Sequence, residues 1–193
     1  MAEAGLSLEP IEEAVQMLHR INATSESAQA ALSEFLELHE GGAQFYEIGF
    51  KELSQPLPQG FPIFPIEGAL MLLHELRTTH QLALVTRGKE QFQFEKLKKA
   101  GIDCSLFSKI VVLEAGNKGP HYQAVAEELG VSSSKVLVCG DRITLDLSPA
   151  KELGYRTIHM PWGRGRHLPG AKCDVDFTIV KLREIKQIIA DLE

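Results

Sequence analysis

Apolar residues recur with one period before about residue 60 of this chain and with another after it. In the first stretch Leu8, Ile11, Val15 and Leu18 fall at helical spacing, as do Ala28, Ala31, Leu32, Phe35 and Leu36, which run into the stop signal Gly41-Gly42. A third segment, Phe45 to Leu53, is rich in aromatics and ends before Pro56 and Pro58. The pattern predicts a small, all-helical, cap-like region over 1–58. Gly60-Phe61-Pro62-Ile63-Phe64-Pro65 then reads as an extended linker or hinge, because each proline disfavours helix at the residue before it.

Beyond the linker, short apolar runs alternate with amphipathic segments of about ten residues. Strands are predicted at Leu82 to Thr86, Lys109 to Leu113, Val136 to Cys139, Arg156 to Met160 and Phe177 to Val180. Helices are predicted at Ile66 to Thr78, Glu90 to Ala100, Pro120 to Leu129, Leu145 to Leu153 and Leu182 to Leu192. Strand-helix alternation of this kind implies right-handed crossovers and a parallel sheet covered by helices on both faces. The fold class over 59–193 is therefore α/β, a Rossmann-like layer.

Composition narrows the function. The chain has 193 residues, 44% of them hydrophobic and 24% charged, which is ordinary for a globular protein. A formal charge of −6 with its 20 Lys and Arg scattered argues against nucleic acid as a main partner. No apolar stretch approaches the ~20 residues a membrane span requires, and the first residues lack a signal core, so a cytoplasmic protein is expected. Cys104, Cys139 and Cys173 lie far apart without a C-x-x-C pair and read as reduced, mostly buried thiols. The seven histidines show no ligand spacing for a metal.

In an open parallel sheet, ligands gather at the C-terminal ends of the strands. Three stretches bring polar chemistry there. Leu82-Ala83-Leu84-Val85 leads into Thr86-Arg87-Gly88, a hydroxyl on a Gly-containing turn that suits a phosphoryl group, although Thr also caps helices. Lys118 precedes a helix whose first turn carries Pro120; a cation there opposes the helix dipole and calls for an anion or carboxylates nearby, the alternative being a solvated loop lysine. Val136 to Cys139 runs into Gly140-Asp141, with Asp146 five residues further on, a pair of hard oxygen ligands that suits Mg²⁺. Asp146 alone also reads as a helix cap.

Taken together and in this order, Thr86, Lys118 and Gly140-Asp141-x-x-x-x-Asp146 resemble the second, third and fourth motifs of the haloacid dehalogenase superfamily. The resemblance covers Phe61 to the C-terminus, and the preceding helices are similar to a cap inserted between the first two motifs. It implies that Thr86, with Arg87 and Gly88, binds the phosphoryl group of a small phosphorylated molecule. It further implies that Lys118 neutralises phosphate charge and that Asp141 and Asp146 hold Mg²⁺.

The family's nucleophile is an Asp of a D-x-D-x-[TV] motif ending a central strand, and no Asp precedes Thr86 in this sequence. The resemblance places that strand between those of Thr86 and Asp141, so backbone groups there are expected to lack partners. Asp174-Val175-Asp176-Phe177-Thr178 matches the motif as letters, but Pro169-Gly170 precedes it and it is similar to the family's ordinary last strand. The expectations are a Mg²⁺-dependent phosphatase, truncated and with little or no activity as written, or a pseudoenzyme that binds a phosphorylated ligand or partner. A strand-donating partner or a homodimer would also supply the lost piece. The loop of Trp162, Arg164, Arg166 and His167 either touches a phosphate-bearing substrate or is simply solvated.

Overall fold

The structure, a computed structural model, describes residues 5–8, 10–53 and 55–193. Residues 1–4, 9 and 54 of the expected helical region lie outside the described residues. Two compact units form. The first holds residues 1–56 together with Trp162–Leu168, and the second holds Leu57–Pro161 and Pro169–Glu193.

The first unit contains α1 (Ile11–Thr24), α2 (Ala28–Leu38) and α3 (Ala43–Leu53). Ser27 starts α2 by accepting the Ala30 N–H at 3.0 Å, which satisfies one of the otherwise partnerless donors of the first turn. Ile21, Ala31, Leu32, Phe35, Leu36 and Phe45 form the core between the helices. A methyl group at Gly49 would lie 2.8 Å from Leu32 Cδ1, so the small residue lets α3 approach α2. The segment Trp162–Leu168 belongs to this unit through Arg164, whose Nε donates to the Asn22 carbonyl at 2.9 Å while the guanidinium also bonds Asn22 Oδ1.

The second unit begins with α4 (Ala69–Leu76), later than the spacing predicts, because Gly68 takes a φ of 80° and breaks the chain direction just before it. There follow β1 (Ala83–Arg87), α5 (Glu90–Lys99), β2 (Lys109–Leu113), α6 (Gly119–Glu128) and β3 (Leu137–Gly140). A π-helical turn over Ile143–Leu147 leads into the short α7 (Ser148–Glu152), and β4 (Arg156–His159), β5 (Phe177–Thr178) and α8 (Glu184–Leu192) complete the chain. Among the described residues no helix is long and apolar enough to cross a membrane.

All strand pairs are parallel, as the crossovers require, yet the sheet is in two pieces. Among the described residues β1 pairs only with β2, Val85 opposite Val111, while β3 pairs with β4 and β4 with β5. Among the described residues β1 and β3 share no ladder. The apolar layers lie on the helix side of these ladders. Leu72, Ile158, Met160, Ile179 and Ile185 pack α4 and α8 on β4, and Tyr122, Ala126, Ala150 and Tyr155 join α6 and α7 near β3.

Candidate active site at the strand ends

β1 and β3 deliver their C-terminal ends to one place, and α6 supplies the group that ties them together. Lys118, at the N-terminus of α6, donates from Nζ to the Val85 carbonyl of β1 at 2.9 Å and to Asp146 Oδ1 beyond β3 at 2.7 Å. Both side chains of the ion pair are nearly buried, at 11% and 9% exposure, so each charge depends on the other. The second oxygen of Asp146 accepts the Arg142 N–H at 3.0 Å. The lysine at an unfavourable dipole end thus has a carboxylate beside it and is not a solvated loop lysine.

Close approach of Asp146 to the strand needs Gly140: a methyl group there would lie 2.5 Å from Asp146 Cβ. The π turn over Ile143–Leu147 returns Asp146 to the strand end, where its N–H donates to the Arg142 carbonyl at 2.8 Å. Asp141 sits at the mouth of the same site. Burial and the neighbouring negative charge of Asp146 push its carboxyl above the usual range, with Arg142 opposing them. His159 Nε2 lies 2.9 Å from the Asp141 carbonyl and fixes the turn when that nitrogen carries the proton.

On the other side, Thr86-Arg87-Gly88 turns with Gly88 at a φ of 142°, a conformation side chains rarely adopt, and the Gly88 N–H donates to Leu113 O at 2.9 Å. Gln93 braces this turn: its Nε2 donates to the Arg87 carbonyl at 3.0 Å and its Oε1 receives the Thr86 hydroxyl at 3.5 Å. Gln93 and His159 carried no motif signal: Gln93 lies in α5, beyond the Thr86 turn, and His159 is the last residue of β4. A cavity of about 450 Å³ opens between the strand ends and is lined by Thr86, Arg87, Lys118, Gly140, Asp141 and Asp146. The cysteines are not the buried thiols expected, since Cys139 and Cys173 are exposed and Cys104 half-buried; within the cavity the Cys139 thiol is reachable but crowded, and its partial burial together with Asp146 and Asp141 pushes it up to about 11. Tyr122 from α6 borders the cavity, its phenol also pushed up, by burial first and then by Asp146.

The Asp174-Val175-Asp176 letters are used elsewhere. Ser148 donates to Asp174 Oδ2, and Asp176 Oδ2 accepts the Thr157 N–H at 2.9 Å while Oδ1 pairs with Lys151. Both carboxylates clamp β5 and its approach to α7 and β4. Neither lines the cavity of Lys118 and Asp146.

Whether a divalent cation suits the site follows from its donors. Among the described residues no group of three or more His, Cys, Asp or Glu side chains forms a metal cluster. Two crowded carboxylates at a strand end, one of them disfavoured as an anion, nevertheless match the sparse oxygen set that Mg²⁺ takes while retaining water and phosphate oxygens. The residues fit the ion, with Asp141 the freer ligand and Asp146 already engaged by Lys118 and Arg142.

A parallel α/β layer that gathers Thr, Lys and two Asp side chains at its strand ends defines a Rossmann-like fold class. The chain belongs to the haloacid dehalogenase-like hydrolase family, whose profile matches residues 16–160. It is 29% identical over 133 residues to a glyceraldehyde 3-phosphate phosphatase of Methanocaldococcus jannaschii, covering 67% of this chain and 58% of that protein. A protein of the same name from Methanopyrus kandleri is 29% identical over 143 residues, covering 72% of this chain and 58% of its own length. The chain therefore spans somewhat over half of these relatives. The magnesium-bound HAD-hydrolase YfnB from Bacillus subtilis superposes with a TM-score of 0.64 at 22% identity over 93% of this chain and 80% of that one. A haloacid dehalogenase-like family hydrolase from Xanthomonas campestris gives 0.61 at 18% identity, covering 98% and 78%. At these identities the structural likenesses speak for the fold.

Proposed function

We propose that these residues form the phosphate- and Mg²⁺-binding part of a phosphohydrolase acting on a small phosphorylated molecule. The observation that carries the reading is the buried Lys118–Asp146 pair, held against the β1 carbonyl of Val85 with Thr86 and Asp141 beside it. The Thr86 hydroxyl and the N–H groups of the Arg87-Gly88 turn would hold the phosphoryl oxygens, and the Lys118 ammonium would offset their charge. Mg²⁺ held by Asp141 and Asp146 would add charge stabilisation on the phosphoryl group. The names of the relatives from Methanocaldococcus jannaschii and Methanopyrus kandleri favour a triose phosphate as the substrate type.

Turnover through an aspartyl nucleophile needs an Asp, none of which precedes Thr86 in these residues, and Asp174 and Asp176 are committed to the β4–β5 clamp. These 193 residues by themselves are accordingly expected to bind rather than turn over, and a ligand-binding pseudoenzyme is the second reading. Calorimetric titration with inorganic phosphate in the presence of Mg²⁺ tests the site. Saturable binding is expected, weakened about tenfold or more in Lys118→Met, the scale of one charge-assisted hydrogen bond. Phosphate binding that is indifferent both to Lys118→Met and to Asp141→Asn would sink the reading. A parallel assay with glyceraldehyde 3-phosphate reads turnover directly: Mg²⁺-dependent release of phosphate by these residues would overturn the pseudoenzyme reading.

A further inference from the structure

The cations that border the strand-end cavity are Arg87, Lys118, Lys135 and Arg142, and they are not equally provided for. Lys118 has Asp146 at 2.7 Å, and the charge of Arg142 acts on the neighbouring Asp141 carboxyl. Lys135 is exposed and precedes β3, at the opposite end of that strand from Gly140. Arg87 differs from all three. It is half-buried, and among the described residues its guanidinium makes no hydrogen bond, ion pair or ring contact. Holding a cation partly out of water with no anion beside it costs the fold free energy, which a ligand's anion would offset.

The alternation of β1 says where that charge stands. Successive side chains of a strand point to opposite faces. The Thr86 hydroxyl is turned to Gln93 of α5, whereas Val85 packs with Tyr122 and Ala126 of α6. Arg87, two residues beyond Val85, therefore leaves the strand end on the α6 side, opposite Thr86. A phosphoryl group centred on Thr86 and Lys118 already meets a hydroxyl and an ammonium. Arg87 is placed for a different group of the same molecule. A carboxylate suits it: the planar guanidinium takes a carboxylate through two parallel N–H bonds, and one negative charge matches the one uncompensated positive charge. A second phosphoryl group would bring close to two.

We propose that Arg87 is a specificity-determining residue that selects a phosphorylated acid, a small phosphate monoester with a carboxylate on a carbon close to the ester. The proposal rests on the phosphate-site reading and narrows its substrate class. The relatives' names point to a three-carbon phosphate; Arg87 asks for an acid at its far end.

The test compares glycerol 3-phosphate with 3-phosphoglycerate, which differ only in a carboxylate replacing a hydroxymethyl group, by calorimetric titration of the full chain with Mg²⁺ present and inorganic phosphate as the reference. The acid should bind about tenfold more tightly than the alcohol, the scale of one charge-assisted hydrogen bond. Arg87→Met should bring that ratio close to one, and Arg87→Lys, which keeps the charge without the fork, should leave it in between. A variant that folds poorly or loosens the phosphate cradle weakens both ligands and leaves their ratio where it was, so the ratio isolates the side chain. Equal affinities in the parent chain would overturn the proposal without any variant. So would a preference that survives Arg87→Met, as a carboxylate held by Mg²⁺ alone would give. Phosphate binding without a preference for the acid removes this inference and leaves the phosphate site standing, whereas no binding of any of the three ligands removes both.

Discussion

At the scale of single residues, location separates the carboxylate that faces the cavity from the one that braces the strands. Asp146 is bound by Lys118 and by the Arg142 N–H at the cavity, whereas Asp176 is bound by Lys151 and Thr157 away from it. Burial alone would raise the Asp176 carboxyl, but the hydrogen bonds from Lys151 and Thr157 and the lysine's charge outweigh it and leave it below its ordinary 3.8. A carboxylate with a depressed folded-state value contributes stability above the unfolded value, and the contribution is lost as pH falls through the folded one. Asp176→Asn should therefore lower the urea midpoint at neutral pH, and the gap from the parent chain should close as pH drops from 3.8 into the lowered range. A gap that stays constant across acid pH would show that the Lys151 pairing adds nothing. Asp141 behaves in the opposite sense: its raised value makes its ionisation a cost to the fold, which a bound cation would remove.

At the scale of elements, the strand-end turns were the legible part of the site. The apolar runs before Thr86 and Gly140 and the proline after Lys118 placed all three site segments at strand or helix ends, where the structure has them. What periodicity could not show were the contacts between elements. Gln93 is one polar residue among several in α5, and nothing in its spacing tells that it braces the Arg87 carbonyl. The π turn at Ile143–Leu147 also looks like the start of an ordinary helix in sequence, because the extra residue per turn serves only to bring Asp146 back to the strand. Gly140 shows how tightly that return is made. Since a methyl group there meets Asp146 Cβ at 2.5 Å, Gly140→Ala should displace Asp146 from Lys118 and destabilise the α/β unit by about 1–3 kcal/mol, an overpacking cost, as read from chemical unfolding. Phosphate affinity should fall in the same variant. An unchanged unfolding midpoint would mean that the π turn yields without strain.

At the scale of the molecule, the chain is built from cores that share few residues, and one of them is discontinuous in sequence. The helical unit closes around Phe35, Leu36 and Phe45, and the chain returns to it at Trp162–Leu168 after β4 before going back to form β5. No composition change marks that excursion; it is held by Arg164 on Asn22, a contact between residues 142 positions apart. The chain has a single tryptophan, and Trp162 lies in this segment with the Arg166 guanidinium 4.8 Å from its ring centre, so its fluorescence reports the helical unit. The α/β unit has its own cores around Ile158 and Tyr122, one of them packed on β4. Units with separate cores open with separate free energies, and a change in one should leave the other's protection in place. Phe35 is 2% exposed, so Phe35→Ala should cost the helical unit about 3–5 kcal/mol. The tryptophan transition in urea should move to lower concentration, while the slow-exchanging amides of Thr157 and Ile158 in β4 keep their protection. If the two transitions shift together by the same amount, the helices and the α/β layer unfold as one cooperative body and the separate-core reading fails.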